Sequence, residues 1–140
     1  MTSDSHRIVK IHYDRRFSKA AFVDWRRLER SWQNNEDQQL RHYAIKLCYY
    51  SRWFVRKESE EYFKLADVDS CSDSHVISFI NGRHRVSVLK SKIDTIPLAY
   101  EADDTLEYFK KTGAFLRNAE YGEEFLMPDL PVLSIDDLRK

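Results

Sequence analysis

Val76-Ile77-Ser78-Phe79-Ile80-Asn81-Gly82-Arg83-His84-Arg85 is an apolar run that stops at Asn-Gly and meets three basic side chains at once. A segment of helical pattern follows to about Lys92, and then a second apolar run, Thr95-Ile96-Pro97-Leu98-Ala99-Tyr100. The pattern predicts strand, turn, helix, strand. Cations in a first turn oppose the helix dipole, which favours negative charge there by about 0.3–1 kcal/mol. Arg83, His84 and Arg85 in that turn therefore point to an anion, and the segment reads as a phosphate-binding strand–turn–helix. Gly82 lets the backbone approach a ligand closely. Asn81 can cap the helix through its side-chain oxygen. Arg83 and Arg85 can hold phosphate oxygens through charge-assisted, bidentate contacts. His84 adds a donor, or a proton carrier near neutral pH. Val86, Val88 and Leu89 hold the helix against the sheet. On composition alone, Arg83 and Arg85 can instead pair with Glu101, Asp103 or Asp104.

Upstream, Arg7–Tyr13 alternates well enough for a first strand. Ser18 is a plausible N-cap for a helix carrying Ala21, Trp25, Leu28 and Trp32 to about residue 33. Asn34-Asn35 breaks it. A second helix is predicted over 36–56, with Leu40, Tyr43, Ala44, Leu47, Ser51 and Phe54 on one face. Tyr49, Tyr50 and Trp53 lie off that stripe, free for a partner or a neighbouring element. Tyr62, Phe63, Leu65 and Val68 mark a short buried piece, and 68–75 reads as a loop. Pro97 predicts that its strand is an edge or is interrupted there. Asp103 or Asp104 caps a helix near 104–112, with Gly113 just past its end. A short helix over 114–120, an extended Pro-bounded stretch at 128–133 and a terminal turn at 134–138 complete the chain.

The length of 140 residues fits one domain, residues 1–140, and 42% apolar content can supply its core. Three Gly and three Pro leave no sign of a linker or a low-complexity tract. Cys48 and Cys71 show no metal-ligand spacing and read as free, partly buried thiols of a reducing compartment. Neither zinc nor haem is expected. The N-terminus lacks a secretory apolar core, and no apolar run reaches membrane-spanning length, so a cytoplasmic protein with no membrane partner is expected. The net charge is zero, but residues 1–57 carry 13 Lys+Arg against 6 Asp+Glu, and residues 58–140 carry 10 against 17. The basic half can face DNA or an acidic protein, or the halves can pack together and cancel.

Phe79-Ile80-Asn81-Gly82-Arg83-His84-Arg85 resembles the signature turn of the ParB/sulfiredoxin superfamily. There a strand, a Gly-x-[His/Arg]-Arg turn and a helix bind nucleotide phosphates. Ile8-Val9-Lys10-Ile11 is similar to the family's first strand, and Thr95–Tyr100 to the Ile-Pro-Val type strand after the helix. The resemblance covers about 35 residues. It implies an α/β (α+β) fold, a small mixed sheet flanked by helices, with Gly82 at the turn and His84 and Arg85 as phosphate contacts. Sulfiredoxins carry a catalytic Cys directly after this Gly, and chromosome-partitioning ParB proteins carry a Glu. Arg83 stands in that place, so neither sulfinic-acid reduction nor the Glu-dependent CTP hydrolysis is implied. No helix-turn-helix is evident. Among compact members the chain looks most like the plasmid fertility-inhibition proteins. That implies ATP or CTP binding with Mg²⁺, residual NTPase or DNase activity, and contact with conjugation or secretion machinery.

No other catalytic signature appears: there is no P-loop, Gly-x-Ser-x-Gly elbow or His-Glu-x-x-His. His6, His12, His42 and His75 have no ligand spacing. Glu58, Glu60 and Glu61 can supply a carboxylate for Mg²⁺ or a general base, or form a solvated helix start. Three functions compete. The first is a nucleotide- or phosphate-binding regulator. The second is a non-enzymatic interaction protein, such as an immunity protein or an inhibitor of a secretion, conjugation or host system. The third is a DNA binder using Arg15, Arg16, Arg26, Arg27, Arg30, Arg52 and Arg56, whose affinity would fall steeply with salt.

Overall fold

A computed structural model describes residues 6–33, 48–71, 76–81 and 83–134. Its elements are β1 (His6–His12), β2 (Lys19–Asp24), α1 (Trp25–Gln33), β3 (Tyr49–Tyr50), a 3-10 turn (Ser51–Trp53), β4 (Phe54–Lys57), β5 (Glu60–Lys64), β6 (Ala66–Cys71), β7 (Val76–Asn81), α2 (Arg83–Lys90), β8 (Thr95–Tyr100), α3 (Asp103–Lys111), β9 (Phe115–Ala119), β10 (Glu124–Pro128) and β11 (Val132–Leu133). The class is mixed α+β. The sheet content exceeds the single small sheet expected. One sheet runs β7-β6-β8-β2-β9, a second runs β10-β1-β5-β4, and β11 pairs with β3. The pairs β6/β8, β1/β5 and β3/β11 are parallel.

One core cluster runs through both larger sheets. Val9, Ile11, Phe63, Phe125 and Met127 come from one sheet, and Ala20–Val23, Ile96 and Leu98 from the other. Phe22 and Phe125 join them, with ring centroids 6.0 Å apart. On β1 the buried Val9 and Ile11 alternate with half-exposed Lys10 and His12. A period of two with one apolar parity is what a one-sided strand requires.

Several expectations are corrected. Residues 19–24 form a strand, not the start of a helix from Ser18. Ala20-Ala21-Phe22-Val23 is buried at both parities of β2, which has β8 and β9 along its edges, and a strand covered on both faces reads as a continuous apolar run. The helix begins after Asp24, whose Oδ1 accepts the Arg26 amide at 3.1 Å, an N-cap contact. Of the helix expected over 36–56, residues 36–47 lie outside the described residues. From Tyr49 onward the chain is β3, the 3-10 turn and β4. Tyr49 and Trp53, expected off the buried stripe, are both buried. Residues 68–71 belong to β6 rather than a loop, and the rest of that expected loop, 72–75, is outside the described residues. Glu58 and Ser59 start no helix. They turn β4 into β5 with φ of 49° and 69°, the paired left-handed backbone of a two-residue hairpin.

The strand holding Pro97 is central, not an edge. However, β6 joins β8 only from Leu98 onward, so at Pro97 β8 has β2 as its neighbour through Phe22. The missing N–H falls where one flank has no ladder. Asp103 and Asp104 lie in the first turn of α3, and the N-cap is Ala102 with no side-chain bond. Past the helix, the Gly113 amide donates to Lys110 O at 3.1 Å and the Ala114 amide to Phe109 O at 2.9 Å. With φ of +77° at Gly113 this is a Schellman close. It turns the chain back as β9 against β2, where a helix over 114–120 was expected. The expected terminal turn beyond Ser134 lies outside the described residues. Among the described residues no helix is long and apolar enough to cross a membrane.

Candidate functional site

The strand β7 and the helix α2 form where the sequence predicts a strand and a helix. Asn81 closes β7 opposite Asp67 of β6. Arg83 and His84 open α2, whose first turn contains no acidic residue. Gly82 lies outside the described residues. Behind the turn, Val86, Val88 and Leu89 are buried, which fixes the helix on its sheet.

Arg85 points inward. Its Nη1 donates to the Lys64 carbonyl at 2.9 Å, and the side chain is only partly exposed. Burial lowers the affinity of the guanidinium for its proton. The Asp67 charge opposes that shift and Arg52 adds to it. Arg85 thus fastens the first turn of α2 to the β5–β6 junction, where the chain passes from one sheet into the other. The pairing considered between Arg85 and Glu101, Asp103 or Asp104 is not the one formed. Asp103 faces Lys19 Nζ at 3.6 Å.

A cleft of about 350 Å³ opens at the end of β8, walled by Tyr13, Arg15, Lys19, Tyr100, Asn118 and Glu120. The strand register carries one row across the sheet, Asn81–Asp67–Ala99–Ala20–Ala119. Ala20 and Ala119 line this cleft. The start of α2 and the cleft therefore share one row of the five-stranded sheet.

A second cluster lies on the solvent face of the four-stranded sheet. His12, Tyr62 and Tyr121 form a ring group with centroids 6.4 Å (His12–Tyr62), 5.3 Å (His12–Tyr121) and 5.6 Å (Tyr62–Tyr121) apart. The Arg15 guanidinium stacks 3.9 Å from the Tyr121 ring centroid. Lys57 Nζ donates to the Tyr121 hydroxyl at 2.8 Å, and Lys64 is the register partner of His12. Further along the same face, Ile8 and Leu126 are paired and exposed. Of this cluster only Arg15 was a candidate from sequence. The signal available was the shared parity of Lys10 and His12 on β1 and of Tyr62 and Lys64 on β5, opposite the buried Ile11 and Phe63.

Burial, then the charges of Lys57, Lys64 and Arg15, lower the His12 pKa below its ordinary value, with Asp14 acting the other way. The unfolded chain therefore binds this proton more readily than the folded one, and His12 contributes stability that is lost as pH falls through about 6.5. Thermal unfolding followed from about pH 7.5 to pH 5 should show a decline that His12→Asn flattens. An unchanged slope in the variant would refute the assignment.

The other basic candidates disperse. Arg16 pairs with Asp14 at 3.1 Å, and Arg26 with Asp24 at 3.0 Å and Asp94 at 3.7 Å. Arg52 lies 5.6 Å from the Tyr50 ring, and Arg27 and Arg56 are exposed. Glu61 pairs with Arg7, and Glu60 with Lys10 at 2.6 Å. Together with Lys19–Asp103 and Arg26–Asp94, these pairs join the basic half of the sequence to the acidic half and cancel much of the opposed charge. Cys48 is a buried free thiol. Compared with family models, with curated proteins and with solved structures, the chain matches none in any of the three.

Proposed function

We propose that the chain is a nucleotide- or phosphate-binding regulatory protein with a ParB/sulfiredoxin-like fold, its anion seated at the first turn of α2. The observation that carries this reading is the succession of β7, α2 and β8, in which the helix opens on Arg83, His84 and Arg85 with no acid in its first turn. Backbone amides of a first helical turn and cationic side chains on it attract phosphate together. The parallel β6/β8 pair beside β7 fits the strand that the resemblance expects after the helix. Arg83 and His84 are the contacts to test, and His84 is the proton carrier if a nucleotide is hydrolysed. ATP or CTP with Mg²⁺, residual NTPase or DNase activity, and a role like that of plasmid fertility-inhibition factors belong to the same proposal.

Thermal unfolding of the chain and of Arg83→Gln should be compared with ATP, CTP, GTP and inorganic phosphate, with and without Mg²⁺. A ligand at 100 times its Kd stabilises a fold by about 2.7 kcal/mol. The shift should appear in the parent chain and shrink in the variant. No shift with any of these anions would reject the reading. A second reading, an interaction protein that keeps the fold without the chemistry, is favoured by the commitment of Arg85 to the Lys64 carbonyl.

A further inference from the structure

We propose that the solvent face of the four-stranded sheet, centred on His12, Tyr62 and Tyr121, is a platform for single-stranded nucleic acid. This site is separate from the first turn of α2 and does not depend on the reading given to that turn.

Rings come first. His12 lies on β1, Tyr62 on the neighbouring β5, and Tyr121 in the turn before β10, so three segments bring their rings to one patch. All three are half-exposed, although polar side chains would satisfy the solvent parity of these strands equally well. Aromatic side chains on an open sheet face give unpaired bases a stacking surface that accepts any sequence.

Charge is the independent observation. Arg15, Lys57 and Lys64 border the rings, and among the described residues none of the three forms an ion pair with a carboxylate. Lys10, Arg16 and Lys19 each have one, and Arg26 has two. Asp14 is engaged by Arg16, Glu60 by Lys10, and Glu123 by Arg117 at 2.6 Å. Glu120 lies at the rim, in the wall of the cleft beside Tyr13. The positive field converges on His12, whose protonation Lys57, Lys64 and Arg15 all oppose. Arg15 also walls the cleft that holds Lys19, so cationic surface continues from the rings to the end of β8.

Rings interleaved with unpaired cations match a ligand that offers flat π faces and phosphates in alternation. A single strand does so. A duplex hides its base faces in the stack, and an acidic peptide offers charge with no base to stack. Single-stranded nucleic acid is therefore the occupant that uses both halves of the patch.

The test is fluorescence anisotropy with a labelled, mixed-sequence single-stranded DNA of about 12 nucleotides, against the parent chain, Lys57→Gln, Tyr62→Leu and Arg83→Gln at several salt concentrations. Binding should weaken with salt, and Lys57→Gln should reduce the log–log slope by about 0.7. Tyr62→Leu should bind about tenfold or more weakly, while Arg83→Gln binds as the parent does. Absence of binding at low salt, equal affinity for the matching duplex or for polyglutamate, or a loss in Arg83→Gln would each overturn the proposal. So would a folded Tyr62→Leu that binds normally. Because Tyr62→Leu can lose stability, a second measurement uses the parent chain alone: photocrosslinking to a bromouracil-substituted strand. Adducts on peptides containing Tyr62 or Tyr121 support the platform, and adducts confined to other peptides refute it.

Discussion

Tyr49→Ala is expected to cost about 3–5 kcal/mol of folding stability. Tyr49 is 0% exposed and sits among three other aromatic rings. Its ring centroid lies 6.5 Å from that of Trp53, 5.7 Å from Phe54 and 6.2 Å from Phe63. Phe54 and Phe63 are themselves 5.3 Å apart across β4 and β5. Removing the ring leaves a cavity between three rigid neighbours that cannot collapse into it. The hydroxyl contributes separately, donating to the Pro128 carbonyl at 2.5 Å. Burial, the larger effect, and Asp129 raise its pKa, while Arg7 opposes them, so it stays a donor at any ordinary pH. Tyr49→Phe strands that carbonyl and should cost about 1–2 kcal/mol. Urea unfolding of the two variants separates the ring from the hydroxyl. A loss below about 1 kcal/mol in Tyr49→Ala would mean that the site collapses freely.

Arg85→Ala should destabilise by about 3 kcal/mol, because it removes a charged donor from a carbonyl and an opposing charge from beside Asp67. Arg85→Met keeps much of the stem's packing and should lose less. Arg85→Lys keeps the charge but not the planar fork and should lose least. The order Ala, Met, Lys, from most to least destabilised, is read from urea midpoints at neutral pH. If all three unfold as the parent does, Arg85 does not fasten α2 to the β5–β6 junction. Reduced phosphate binding in any Arg85 variant must therefore be compared at equal folded fraction, which is why Arg83 is the cleaner probe of the turn.

The unit from Val76 to Tyr100 was legible because its signals are local: a β-rich run, an Asn-Gly stop, a change to helical spacing and a second apolar run. Strand β2 was not, because Ala21, Trp25 and Leu28 keep helical spacing straight across the strand–helix boundary at Asp24. Strands β3 and β9 take their conformation from β11 and β2, partners distant in sequence that no local window contains. The hairpin at Glu58-Ser59 lacks the Asn-Gly or Asp-Gly pair that usually announces left-handed turn backbone. At the candidate site, the clustering of cations at the helix start was visible, but the inward turn of Arg85 to Lys64 was not. The ring-and-cation face escaped because it is assembled from residues 12–15, 57–64 and 121, each ordinary in its own neighbourhood.

The order of strand pairing bears on how the chain is made. β1 waits for β10, β2 for β9 and β3 for β11, so the first three strands find partners among the last three. A ribosome that has released the chain only through β8 holds a half-built protein: β2 has β8 on one side and an open edge on the other. Tyr49 at that stage lacks the Pro128 carbonyl, and Val9 and Ile11 lack Phe125 and Met127. Closure of such distant pairs is slow, and unpaired apolar edges invite association while it is pending. Assembly is thus completed only by the segment from Phe115 to Leu133, which makes the interval before it emerges the period in which a nascent copy is most exposed to its neighbours.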